Sequence, residues 1–195
     1  MKKHENKDTR YIYILLVRTG SIFSRVIHTA TREEYTHVSV GMLSDCSEFY
    51  SFARRYTKYP LPAGFVKESL DSGMMAKCTE APCALYRLTV PAKSYHSMKR
   101  KFKKMLRSKK DFSYNLIGTF FCFFGIAYKR ENKYFCSQFV AETLKEIGAI
   151  ELTKLPELYH PVDFTKIPEF TLCYKGTLGG LKRQRHTLGM TPENA

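Results

Sequence analysis

KYFCSQFVAETLKEIGA, residues Lys133 to Ala149, sets a cysteine at the front of an amphipathic helix. At helical spacing Cys136 shares one face with Phe139, Val140, Thr143, Leu144 and Ile147. One reading makes Cys136 another core residue, since free cysteine is among the most buried residue types. The other makes it a nucleophile. Its place in the first turn favours the second reading. The unpaired N–H groups and the positive end of the helix dipole stabilise a thiolate there. The same groups can hold an oxyanion, with Ser137 N–H as the expected donor.

A base for that thiol stands upstream. YTHVSVGML (Tyr35 to Leu43) alternates, with Val38 and Val40 on one face and His37, Ser39 and Gly41 on the other. A rigid strand can present an imidazole to a helix N-terminus packed against the sheet, the layout that thiol catalysis needs. EFYSFARR returns as the second strand of a hairpin. YIYILLV, CALYRLTV and TLCYKGTL read as further strands, and GSIFSRVIH as a short helix. PAKSYHSMKRKFKKMLRSKK reads as a helix with Tyr95, Met98, Phe102, Met105 and Leu106 at helical spacing. KYPLPAGFVKESLDSG, with Pro60, Pro62, Gly64 and Gly73, reads as a long crossing loop. The sum is an α+β fold, an antiparallel sheet with the Cys136 helix packed on it.

Length and composition bound the rest. The 195 residues fit one domain, and 44% hydrophobic content predicts a folded body. Residues 1–9 are expected to be a flexible polar and basic N-terminus, 10–178 a single catalytic domain and 179–195 a disordered basic tail. YIYILLV is too short and lacks the cleavage site of a signal peptide. LIGTFFCFFGIA (Leu116 to Ala127) is too short to cross a bilayer as a helix. The expectation is a cytoplasmic protein with its cysteines reduced. The six cysteines include no CxxC pair and no histidine at ligand spacing, so structural zinc is not expected, and the thiol-hydrolase reading implies no metal or organic cofactor.

With both motifs quoted, the chain resembles a known family. YTHVSVG followed far downstream by YFCSQFVAETL is similar to the permuted papain-like hydrolases of the NlpC superfamily, in the YiiX/YebB-like branch. Members carry an H-V-[GS]-[IV] strand first and an [FY]-C-S-[EQ]-[LF]-V helix later. The likeness runs from about Tyr11 to Tyr174 and takes in the Tyr114–Asn115 step. It implies a permuted papain-like fold, with Cys136 as nucleophile and His37 as general base. Relatives often place an orienting glutamate late in the strand after the His strand. Here that alignment lands on Ser51, which can accept an imidazole N–H but carries no charge. Glu48 is the charged alternative, on the opposite parity of the strand unless a bulge intervenes. His160, in YHPV, is an alternative base from a loop. The other histidines read as surface or packing residues.

The expected activity is hydrolysis of an amide, ester or thioester through a Cys136 acyl-enzyme, on a peptide, acyl or lipid substrate. Acyl transfer or phospholipase chemistry on the same fold is an alternative, as members of the wider permuted group act on lipids. So is a non-catalytic basic protein that binds membrane surfaces. A net charge of +14 favours a polyanion or an anionic membrane. Nine cations (Lys93, Lys99, Arg100, Lys101, Lys103, Lys104, Arg107, Lys109 and Lys110) lie just before the greasy LIGTFFCFFGIA. That segment is either a buried helix behind the site or an apolar lip that enters lipid, making the protein peripheral to a membrane. Nucleic acid is not expected, because aromatics do not interleave with the cations as a stacking platform requires.

Overall fold

Ile12, Ile14 and Leu16 alternate along β1 (Thr9–Val17) with Tyr13, Leu15 and Val17, and both sets are buried. A strand buried on both faces sits in the middle of a sheet with a core on each side. The computed structural model, which describes residues 8–18, 33–55 and 62–185, builds its fold around this strand. The remaining strands of the main sheet are β2 (His37–Gly41), β3 (Phe49–Arg54), β4 (Ala63–Glu68), β5 (Pro82–Pro91) and β8 (Thr171–Thr177). They form one six-stranded sheet in the order β4-β3-β2-β1-β5-β8, antiparallel at every pairing.

The larger core is closed by two helices, α2 (Ala92–Arg107) and α4 (Cys136–Glu146). Tyr95, Met98, Phe102 and Met105 of α2 follow the helical spacing and are buried with Phe139, Val140 and Leu144 of α4. Phe139 lies at the centre, its ring 5.1 Å from Phe52, 5.5 Å from Phe65 and 5.7 Å from Phe102 between centroids. The second core collects Tyr13, Leu15, Val17, Phe49, Cys83 and Leu85. It is covered by Leu70, by Met75 of the short α1 (Gly73–Lys77), and by Leu178 and Leu181 of α5 (Leu178–Gln184).

Two expectations are corrected here. The segment read as a crossing loop contains β4, whose residues Phe49↔Glu68 to Arg54↔Ala63 pair with β3. Pro62 precedes this edge strand, where a missing donor is tolerated. Gly64 marks a close approach rather than a loop, because a Cβ there would sit 2.5 Å from Phe112 O. The tail expected to be disordered from residue 179 is helical as far as Gln184. Thr177 Oγ1 accepts from Gly180 N at 3.2 Å, and Leu178 and Leu181, three apart on one helical face, seal the second core. The expected GSIFSRVIH helix lies outside the described residues, as do residues 1–7 and 186–195.

Truncating Phe139 to alanine should lower the unfolding free energy by about 3–5 kcal/mol, as for other large aromatics removed from a packed core. Urea unfolding of the variant beside the wild type measures this. A loss below about 1 kcal/mol would show that the α4–sheet contact is not central to stability.

Candidate active site

Two short strands deliver Cys136 to its position. β6 (Ser113–Tyr114) pairs in parallel with β7 (Lys133–Tyr134), with Tyr114 opposite Tyr134, and Asn115 N donates to Tyr134 O at 3.0 Å. One residue later, Phe135 is the N-cap of α4 and Cys136 its first residue. Phe135 offers no side-chain cap, so the first-turn N–H groups have no acceptor within the helix. Cys136 and Ser137 line a cleft that also touches Tyr114, Thr119, Cys122 and His160.

His37 opens β2, and its Nε2 lies 2.9 Å from Glu68 Oε2 at the end of β4. Both side chains are nearly buried, 12% and 15% exposed. Cys136 is the other side chain that acts on the imidazole, and with Nε2 committed to Glu68, Nδ1 is the remaining ring nitrogen. Burial opposes the charged ring, but the Glu68 carboxylate and Cys136 outweigh it and hold His37 well above the usual histidine range.

The expected orienting residues are elsewhere. Ser51 is fully buried and spends its hydroxyl as a donor to Val38 O at 2.7 Å. Glu48 receives Lys67 Nζ at 2.7 Å and the Tyr50 hydroxyl at 3.0 Å. Each is satisfied by a nearer partner, a strand carbonyl in one case and a surface cation in the other. The carboxylate on His37 comes instead from β4, the strand hidden by its proline and glycine. Its only sequence signal was the alternation of Phe65 and Lys67 with Val66 and Glu68.

Tyr114 is a site residue that sequence reasoning did not assign. Its hydroxyl contacts the side chains of Cys136 and Thr119. Burial, reinforced by Cys136, pushes the phenol well above its ordinary value. It stays protonated and can donate. His160 does line the cleft, but its Nδ1 is 2.7 Å from Glu33 Oε1 and its thiol contact is Cys122. His96 is exposed on α2, and His4, His28 and His186 lie outside the described residues. Among the described residues no group of three or more His, Cys, Asp or Glu side chains could hold a metal ion.

No protein-family model, curated protein or solved structure matches this chain.

The raised His37 value fixes the sign of a pH effect. A base raised above its unfolded value of 6.5 gives stability that is whole below that pH. It is lost as pH rises through the folded value. In histidine NMR titrations, His37 of the wild type should titrate above 6.5 and that of Glu68→Gln markedly lower. Ser51→Ala and Glu48→Gln should leave it unchanged. A His37 titration insensitive to Glu68→Gln would remove Glu68 from the site.

Proposed function

We propose that this chain is a cysteine hydrolase that cleaves an amide, ester or thioester through an acyl-enzyme on Cys136. The observation that carries the reading is the His37–Glu68 pair, 2.9 Å apart, with Cys136 as the imidazole's other neighbour at the start of a helix that opens on a cleft. A nucleophile, a base in reach of it and a third group orienting the base are what covalent catalysis requires. The order of elements, His strand first and Cys helix later, also fits the permuted papain-like arrangement that the two motifs resemble.

The steps follow from the groups present. The Cys136 thiolate attacks the carbonyl carbon, and the developing oxyanion is held by Ser137 N–H and the Tyr114 hydroxyl. The tetrahedral intermediate collapses as the His37 imidazolium gives its proton to the leaving group. Neutral His37 then takes a proton from water, which attacks the thioester and releases the acid. Glu68 keeps the ring oriented and offsets its charge throughout. If another hydroxyl or amine replaces water in the second half, the same machinery is an acyltransferase.

Hydrolysis of a p-nitrophenyl ester should vanish in Cys136→Ala apart from any slow background. It should fall roughly 10²–10⁴-fold in His37→Ala, and less in Glu68→Gln. Burst kinetics and mass spectrometry should show one acyl group on Cys136. Iodoacetamide labelling of Cys136 no faster than that of the buried Cys46 would sink the hydrolase reading.

A specific surface favours acyl substrates presented by a membrane. The greasy segment forms α3 (Leu116–Phe123) and the turn after it. It is not the buried helix that one expectation held. Phe124 is 65% exposed, Phe120 60%, Ile126 51%, and Leu116 and Ile117 47% each. Thr119 and Cys122, on the inner side of the same helix, line the Cys136 cleft. Such an apolar patch beside a cleft, on a chain of charge +14, suits an anionic lipid surface. Among the described residues no helix is long and apolar enough to cross a membrane, so the contact would be at the interface.

Vesicle sedimentation tests it. Binding should require anionic lipid and weaken as salt rises. Phe120→Asp and Phe124→Asp should each lower affinity about tenfold or more, since burying one phenylalanine stabilises by roughly 1.5–3 kcal/mol. Equal binding to neutral vesicles, or unchanged binding by these variants, would remove the membrane from the reading.

A further inference from the structure

The cleft has a second thiol. Cys122 stands one residue before the end of α3 and, like Cys136, is 6% exposed and lines the cavity. Its sulfur lies 4.0 Å from Tyr159 O, and the imidazole of His160, the next residue, lines the same cavity beside it. His160 Nδ1 is in turn 2.7 Å from Glu33 Oε1, and both side chains are mostly buried. Glu33 and His160 line the same cavity. The ring is well fixed. Phe123 meets it edge-on at 5.6 Å, and His160 N donates to Asp163 Oδ2 at 2.7 Å where a 3-10 turn begins.

We propose that Cys122, His160 and Glu33 form a second thiol nucleophile centre, opening on the same cleft as Cys136 and taking acyl groups from esters and thioesters. The geometry meets the same requirements, with a nucleophile beside a base in one cavity and a carboxylate holding the base through Nδ1. It is not a copy of the first centre. His37 turns Nε2 to its carboxylate, whereas His160 turns Nδ1 to its own. The two sets also run in different chain orders, His37–Glu68–Cys136 and Glu33–Cys122–His160. Contact with Cys122 first, and then with Glu33, lifts His160 to about 10 against the effect of burial, so its ring is charged at neutral pH.

The chemistry balances with the groups present. The Cys122 thiolate attacks the carbonyl carbon and a C–S bond forms. The C–O or C–S bond to the leaving group breaks, the electron pair departs with that group, and His160 supplies its proton. Water then cleaves the new thioester, giving one proton back to His160 and regenerating the thiolate.

The test uses the full chain carrying Cys136→Ala, so that the first thiol cannot compete. Iodoacetamide labelling at pH 7, read cysteine by cysteine by mass spectrometry, should find Cys122 fastest. It should exceed the more exposed Cys78 and Cys173 by about tenfold or more, as a thiolate paired with an imidazolium outruns an ordinary thiol. His160→Gln and Glu33→Gln should each slow Cys122 and leave Cys78 and Cys173 unchanged, which controls for folding. Cys136→Ala should retain slow p-nitrophenyl acetate turnover that disappears when Cys122→Ser is added. Labelling of Cys122 no faster than Cys78 and Cys173, or a rate untouched by His160→Gln, would overturn the proposal. The result is independent of the first centre, because an inert Cys136 in the wild type would defeat the hydrolase reading and leave Cys122 to be judged by its own rate.

Discussion

A nearly buried imidazole can carry charge only with an opposite charge beside it, and Glu68 offers His37 that partner at 2.9 Å. Much of the architecture serves this contact. The two residues stand on β2 and β4, which flank β3. The sheet must therefore extend to a third strand on this side before the base has its partner. Removing either side chain alone would strand a polar group out of water, the costly half of the pair's energetics.

The two faces of β1 explain how the site is kept rigid. One face carries Ile12, Ile14 and Leu16 against α2 and α4. The other carries Tyr13, Leu15 and Val17 against α1 and α5. Phe139 ties α4 to the sheet through Phe52 and Phe65, so Cys136, one turn earlier, is held by the same packing. A side chain on a helix locked into an aromatic cluster has little freedom to drift from its neighbours. The β6–β7 clip adds a second constraint by fixing Tyr114 opposite Tyr134, two residues before Cys136.

The cleft owes its double character to α3. Eight residues are too few for a helix to bury all round, and here the outer side keeps its phenylalanines in solvent. The inner side turns Thr119 and Cys122 into the cavity. One short element thus connects an apolar outer surface with the cleft that holds both thiols. That arrangement is intelligible if substrates carry an acyl chain at one end and a reactive carbonyl at the other.

The sequence by itself determined the local elements. Alternation placed β2 and β3, the 3.6-residue stripe placed α2 and α4, and Cys136 at a helix start was legible from KYFCSQFV. Those are properties of neighbouring residues, and period carries them. Local pattern could not say which carboxylate meets His37, because that depends on strand order and on how far a side chain reaches across a neighbouring strand. Ser51 was reached by alignment with the resembled family and Glu48 as the charged residue nearby on the same predicted strand, but the sheet gave them other partners. Gly64 hid β4 because its reason, the approach of Phe112 O, is a contact across 48 positions of chain. Cys122, His160 and Glu33 meet across 127 positions, with no motif to announce them. Periodicity belongs to the chain, whereas the meeting of charges and thiols belongs to the fold, because packing alone brings distant residues within hydrogen-bond range.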